Sequence, residues 1–220
     1  MSGEYDVIAA ALAEVGLLAR GGFLPGPQDN APRSCGSLIL VGNAGPDFWP
    51  HFEAGRRDEP NALDAWTKRT VDRIAAKAGG WAVYPSDGPP YFPFQRWAMQ
   101  VEPVSPSPLG MLIHPEYGLW HAYRAAICLH REIDVPPRRD AVSPCNTCTA
   151  KPCLSTCPVG AFSDDGYDVA ACADHLRAPE GGDCLELGCR ARRACPAGDP
   201  GLYAPGQAAF HMRAFLAARG

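Results

Sequence analysis

Apolar residues recur at near-helical intervals at the start of the chain, where Val7, Ile8, Leu12 and Val15 fall on one face of a helix predicted over residues 4–18. Gly21 and Gly22 stop that pattern. Residues 37–43, SLILVGN, form an apolar run preceded by Gly36 and closed by Gly42 and Asn43, which predicts a buried strand. The clearest helical signal follows in NALDAWTKRTVDRIAAKAGG, with Asn61 as candidate cap, an acid early, basic residues late and two glycines to end it. GWAVYPSDG then predicts a strand, and GMLIHPEYGLWHAYRAAICL predicts two strand-like runs broken at 115–118. Beyond Pro136 the texture changes. Prolines, glycines and cysteines dominate until QAAFHMRAFLAARG closes the chain as a helix. Helices and strands mixed in front of a loop-rich region predict an α+β fold, organised as residues 1–142, residues 143–202 and a C-terminal helix at 203–220.

At 220 residues the chain is long enough for a sizeable core, so small size does not oblige it to cross-link itself throughout. The formal net charge of -4, with 20 Lys+Arg against 24 Asp+Glu, leaves no strongly basic surface, and no nucleic-acid partner is expected. No apolar run approaches the roughly 18 to 20 residues that span a membrane, so no membrane partner is expected either. The first residues carry acids ahead of the apolar positions and lack the basic start of a secretory signal, which points to a cytoplasmic protein. A reducing cytosol opposes structural disulfides and turns the reading of the cysteines toward metal binding or catalysis.

Eight of the 10 cysteines crowd into one region. CNTCTAKPCLSTCP sets Cys145, Cys148, Cys153 and Cys157 in the spacing C-x2-C-x4-C-x3-C-P, two residues longer before its third cysteine than the bacterial ferredoxin run. A second group, Cys172, Cys184, Cys189 and Cys195, also ends in Cys-Pro. A cubane iron–sulfur cluster takes thiolates from a tight loop plus one from farther along the chain, and eight ligands suit two [4Fe-4S] clusters. Zinc is the main rival, since four thiolates also satisfy a tetrahedral site, but only Cys145 and Cys148 form the C-x2-C knuckle that such sites use in pairs. A segment this poor in core-forming residues needs a staple other than hydrophobic burial. Lys151, Arg190, Arg192 and Arg193 interleave with the thiols, either as cations that stabilise a reduced cluster or as a solvated basic turn. Cys35 and Cys128 lie in apolar runs outside this region and read as buried small hydrophobes.

On these residues the cysteine region resembles the ferredoxin-like tail of epoxyqueuosine reductase and the reductive dehalogenases, both cobalamin-dependent. The resemblance implies ligands exchanged between clusters, with Cys145, Cys148, Cys153 and Cys195 on one and Cys157, Cys172, Cys184 and Cys189 on the other. Those families space their last three cysteines more tightly than Cys184, Cys189 and Cys195. LIHPEYGLWHAYRAAI, followed by REIDVPPRRD, and PPYFPFQRWAMQ ahead of it, resemble the CblC-type cobalamin-processing proteins over residues 80–140. That likeness implies a nitroreductase-like mixed sheet with flanking helices. Leu119 stands where that family has a second glycine, and His121 where it has an aromatic residue.

Two readings of HPEYGLWHAYR are open from the residues alone. In one, aromatic faces pack on a planar macrocycle while Arg124 meets an anionic group; in the other, the segment is a strand pair with Trp120 in the core. The resemblance implies the first, a cobalamin site at His114, Tyr117, Gly118, Trp120 and Arg124, with His121 beside it. Two functional classes follow. The clusters pass electrons singly to the cobalt of a bound corrinoid and so reduce or process cobalamin, or the chain is a ferredoxin-like electron carrier that docks a protein and binds no corrinoid. The expected partners are an electron-donor protein or small reductant, a corrinoid, and a second copy of the chain in a homodimer. Modification of tRNA in the manner of epoxyqueuosine reductase is disfavoured by the acidic balance.

Overall fold

The computed structural model describes residues 3–163, 166–198 and 203–219. In chain order its elements are helix α1 (Glu4–Ala13), strands β1 (Leu18–Phe23) and β2 (Ser37–Ala44), helices α2 (Phe48–Gly55) and α3 (Ala62–Lys77), strand β3 (Gly80–Val83) and helix α4 (Phe94–Val101). Strands β4 (Ser105–Pro106), β5 (Leu112–Ile113) and β6 (His121–Leu129) follow, then short helices α5 (Pro144–Thr147) and α6 (Pro152–Ser155). The chain ends with strands β7 (Phe162–Ser163) and β8 (Gly166–Tyr167) and helices α7 (Val169–Arg177), α8 (Gly182–Leu187), α9 (Arg190–Arg193) and α10 (Pro205–Ala217). It divides into two compact units, Met1–Pro103 with His121–Asp140, and Val104–Trp120 with Ala141–Gly220. Among the described residues no helix is long and apolar enough to cross a membrane.

The fold is α+β, and the first unit is built on a sheet in the order β1-β2-β6-β3. Its pairings are antiparallel, where a mixed sheet was expected. The reason is topological. The crossover from β2 through α2 and α3 sends β3 in the same direction as β2, but β6 arrives later in the chain and inserts between them. Residues 38–41 of β2 and 125–129 of β6 are all fully buried. Because successive strand side chains point to opposite faces, both faces of these central strands are covered, which explains the uninterrupted apolar runs.

Helix α3 forms where the sequence predicts it. Leu63, Trp66, Thr67, Thr70, Val71, Ile74 and Ala75 make a buried stripe at helical spacing, and the helix packs on β3 and β6. Helix α2 has no clear signal in the apolar pattern, with Pro50 in its first turn, where proline is tolerated. Aromatic burial holds it: Phe48 and Phe52 lie 5.6 and 5.9 Å from the Trp66 ring. Helix α1 ends at Ala13, earlier than predicted, and Gly21 and Gly22 sit inside β1 instead of ending a helix. The pairing of β1 with β2 slips between Ala19 and Gly22, and Gly21 takes a φ of +79° that only such an irregular site asks for.

The second unit draws its core from two separate stretches. Leu109, Ile113 and Leu119 from 104–120 are buried with Cys153, Ala191 and Cys195 from the tail. Cys145, Cys157 and Cys189, half-buried, pack against that cluster together with Met111, Leu154 and Phe162. The thiols are thus part of the core itself, as expected of a segment with few aliphatic residues.

Candidate metal centre

Short helices aim the first group of cysteines. Ser143 caps α5 by accepting the Cys145 N–H at 3.3 Å, and the Ser105 hydroxyl donates to the Ser143 hydroxyl at 2.6 Å, tying β4 to this turn. Lys151 adopts a left-handed conformation at the start of α6, which carries Cys153. Cys195 follows α9, which packs on α6. Cys145, Cys148, Cys153 and Cys195 line one narrow cleft of ≈ 30 Å³, walled by Pro108, Ile113, Pro144, Pro196 and Ala197, with Lys151 as its cation. Burial, and after it the Cys195 thiolate, push the Cys145 and Cys153 thiols above the ordinary thiol value.

The second group gathers around Tyr167. Burial raises the Cys172 thiol first; the Tyr167 hydroxyl donates to its sulfur and favours the anion, while Cys157 and Cys184 oppose it as like charges. Burial also raises Cys189, whose sulfur accepts the backbone N–H groups of Arg192 and Ala191 and has Cys184 and Cys172 as charged neighbours. The Cys157 sulfur accepts the Ala161 N–H at 3.3 Å. Cys157, Cys172, Cys184 and Cys189 therefore share one neighbourhood. Donors aimed at sulfur suit anionic, metal-ligating thiolates, so the chemistry of both donor sets fits a thiolate-bound metal group. Among the described residues no three His, Cys, Asp or Glu side chains are gathered closely enough to hold a single metal ion.

The interleaved arginines brace this unit. Arg192 donates to the Leu119 carbonyl at 2.6 and 3.1 Å and lies 4.3 Å from the Trp120 ring and 4.7 Å from the Tyr203 ring. Arg190 and Arg193 both pair with Asp183.

The HPEYGLWHAYR residues are divided between the two units. His114, Tyr117, Gly118 and Trp120 belong to the second, and His121 and Arg124 to the first. His114 Nδ1 accepts the Glu116 and Tyr117 N–H groups, and its ring stacks on Tyr117 at 4.5 Å. Trp120 is 2% exposed, with Tyr203 edge-on at 5.2 Å. Gly118 meets the tail so closely that a Cβ there would lie 1.9 Å from the Ala197 carbonyl oxygen. Arg124 donates to Asn43 Oδ1 at 3.0 Å and lines a ≈ 330 Å³ cleft of the first unit with Lys68, Tyr84 and Tyr123. His121 Nδ1 lies 3.5 Å from the buried Arg20 guanidinium, which pairs with Glu102 at 2.7 Å.

The sequence reading did not find Tyr167 or the Ala161, Ala191 and Arg192 amides, because donors to sulfur carry no residue-type signature when they belong to the backbone. Tyr167 had one usable signal, its place between two cysteines in a glycine-bordered turn.

No protein-family model matches the chain, and no curated protein matches it in sequence. Among solved structures, epoxyqueuosine reductase from Streptococcus thermophilus superposes with a TM-score of 0.53 at 15% identity, over 92% of this chain and 69% of that one. In fold, this chain is similar to epoxyqueuosine reductase. A structure of epoxyqueuosine reductase with an epoxyqueuosine-modified tRNA-Tyr stem loop gives a TM-score of 0.49 at 14% identity, over 93% of this chain and 69% of that one. The expectation of no nucleic-acid partner does not stand. The exclusion came from a net charge of -4 summed over the whole chain, whereas phosphate contacts are made by local groups, so an acidic total does not exclude them.

Proposed function

We propose that this chain is an iron–sulfur redox protein holding two [4Fe-4S] clusters, one on Cys145, Cys148, Cys153 and Cys195 and the other on Cys157, Cys172, Cys184 and Cys189. The observation that carries this reading is the sorting of eight thiols into two neighbourhoods that cut across sequence order, with Cys195 joining the first run and Cys157 leaving it. Thiols ringing a cleft suit a cluster, whose ligands are spread over several metal atoms, better than zinc, where four thiolates lie about 2.3 Å from one ion. When bound, such clusters take up and release single electrons. The Tyr167 hydroxyl and the Ala161, Ala191 and Arg192 amides stabilise the thiolates, Lys151 brings a compensating charge, and Pro108, Pro144 and Pro196 wall the first site. Thiolate ligands also suit a reducing compartment such as the cytoplasm.

In the finer reading the electrons come from a donor protein or small reductant and go to a corrinoid, which is thereby reduced or processed. The CblC-like stretch over residues 80–140 supports this. The Arg124 cleft, at ≈ 330 Å³, is at the lower end of small-molecule sites and would take a peripheral group of a corrinoid rather than its whole ring.

Anaerobically purified protein should be brown, absorb broadly near about 400 nm and carry roughly eight irons per chain. Colourless protein with stoichiometric zinc would overturn the cluster assignment. Titration with cobalamin tests the finer reading separately. A blue shift to the base-off spectrum supports corrinoid reduction, and no binding at about 100 μM leaves the protein as a ferredoxin-like carrier.

A further inference from the structure

Outside the cysteine-rich unit, the fold brings together two thiols that lie 93 positions apart in sequence. Cys35 precedes β2 and Cys128 lies on β6, the strand that pairs with β2. Leu38 is the direct partner of Cys128, and the Gly36 N–H donates to the Leu129 carbonyl at 2.7 Å, so the backbones on either side are locked. The Cys35 side chain folds back over this edge, its thiol donating to the Ser37 carbonyl at 3.2 Å. The Cys128 sulfur is within hydrogen-bonding contact of Cys35. That contact, and then burial, hold the Cys128 thiol protonated well above the ordinary thiol value.

The two sulfurs differ in access. Cys128 is 0% exposed, whereas Cys35, at 8%, lines an open cleft of ≈ 550 Å³ with Pro27, Pro32 and Arg33. Cys35, one of the residues lining the cleft, is therefore the nearer of the two to a small polar oxidant, while Cys128 lies wholly in the core.

We infer that Cys35 and Cys128 form a reversible disulfide, with Cys35 as the attacking thiolate, Cys128 as the resolving thiol and hydrogen peroxide as the class of oxidant. In the first step the Cys35 thiolate attacks one peroxide oxygen, the S–O bond forms, the O–O bond breaks and hydroxide leaves, giving a sulfenic acid. In the second the Cys128 sulfur attacks the Cys35 sulfur, the S–O bond breaks, and the departing hydroxide takes the Cys128 proton as water. Two thiols and one peroxide thus yield one disulfide and two waters, and an external thiol reverses the reaction by exchange.

This inference does not depend on the cluster assignment, and its readout is a covalent bond. Trypsin separates the two residues, placing Cys35 in the peptide 34–56 and Cys128 in 125–131, each with a single cysteine. The full-length protein is treated anaerobically with a small excess of hydrogen peroxide, its remaining thiols are alkylated after denaturation, and the digest is mapped by mass spectrometry. The expected product is peptide 34–56 joined to 125–131 with the loss of two hydrogens, restored to free peptides by dithiothreitol. Cys128→Ser should abolish the joined species and leave a Cys35 sulfenic acid that dimedone traps. Cys35→Ser should leave Cys128 unmodified. Recovery of both peptides alkylated from folded, peroxide-treated wild type, or of Cys35 joined to a cysteine of the tail, would overturn the inference whether or not the variants fold.

Discussion

A methyl group at position 118 would collide with the Ala197 backbone, and Gly118 holds a φ of +55° that a side chain makes costly. Gly118→Ala is therefore expected to destabilise the second unit by roughly 1 to 3 kcal/mol. Urea unfolding followed by tail-specific proteolysis reads this, and an unchanged midpoint would mean that the Ala197 backbone yields without cost. The same residue illustrates what was legible at this scale. Gly118 was singled out as part of a ligand motif, and the structure gives its glycine a packing reason that no local pattern announces. Trp120 is similar: its enclosure by Tyr203 and Arg192 depends on residues 72 or more positions away. The cysteines of the tail could be singled out as candidate ligands because thiolate chemistry and spacing are local properties. The pairing of Cys35 with Cys128 was not, since each reads singly as a small hydrophobe.

Helix α3 was the most readable element, yet its start differs from expectation in an instructive way. Asn61 stands at the N-cap position with a φ of +50°, and its side chain makes no capping hydrogen bond. Asn61→Gly should leave thermal stability within a few tenths of a kcal/mol, or raise it, because glycine adopts that backbone freely. Loss of about 1 kcal/mol would instead indicate a side-chain cap in solution. Elements with one buried stripe or an uninterrupted apolar run, α3 and β2, could be drawn from the sequence. Helix α2 could not, because aromatic contacts with α3 hold it, and β1 was obscured by glycines that serve a bulge.

The two units should respond to different stresses. Burial holds Tyr5, Tyr84 and Tyr123 of the first unit above the ordinary phenol value of 10.0. A phenol whose folded-state value is raised contributes fully below pH 10, and its contribution is lost as pH rises further, because only the unfolded chain then releases the proton. Tyr84 and Tyr123 each contribute a slope of up to about 1.4 kcal/mol per pH unit. Denaturant titrations between pH 8 and about 11.5 should show stability falling above pH 10, and Tyr123→Phe should flatten that fall even if it starts from lower stability. Parallel curves for the two proteins would exclude Tyr123 as a contributor. On the proposed cluster assignment, the second unit should depend instead on bound metal. Metal binding can supply folding free energy on the order of 10 kcal/mol, well above what the small core around Leu109, Ile113 and Leu119 provides. Iron chelation, or Cys148→Ala, should make residues 141–219 protease-sensitive while the sheet of the first unit stays resistant. Equal resistance before and after chelation would show that the tail folds without metal.

The sequence by itself determined the α+β class, the two apolar strands that become the middle of the sheet, the long helix beside them and the eight-thiol region, because periodicity and ligand chemistry are written over short distances. Tertiary structure decided the rest. It set β6 between β2 and β3 and made the pairings antiparallel, returned residues 104–120 to the cysteine-rich unit, and sorted the thiols into two groups out of chain order. It also divided HPEYGLWHAYR between units and brought Cys35 against Cys128. Each of these depends on which distant segments share a core, and a pattern read along the chain does not carry that information.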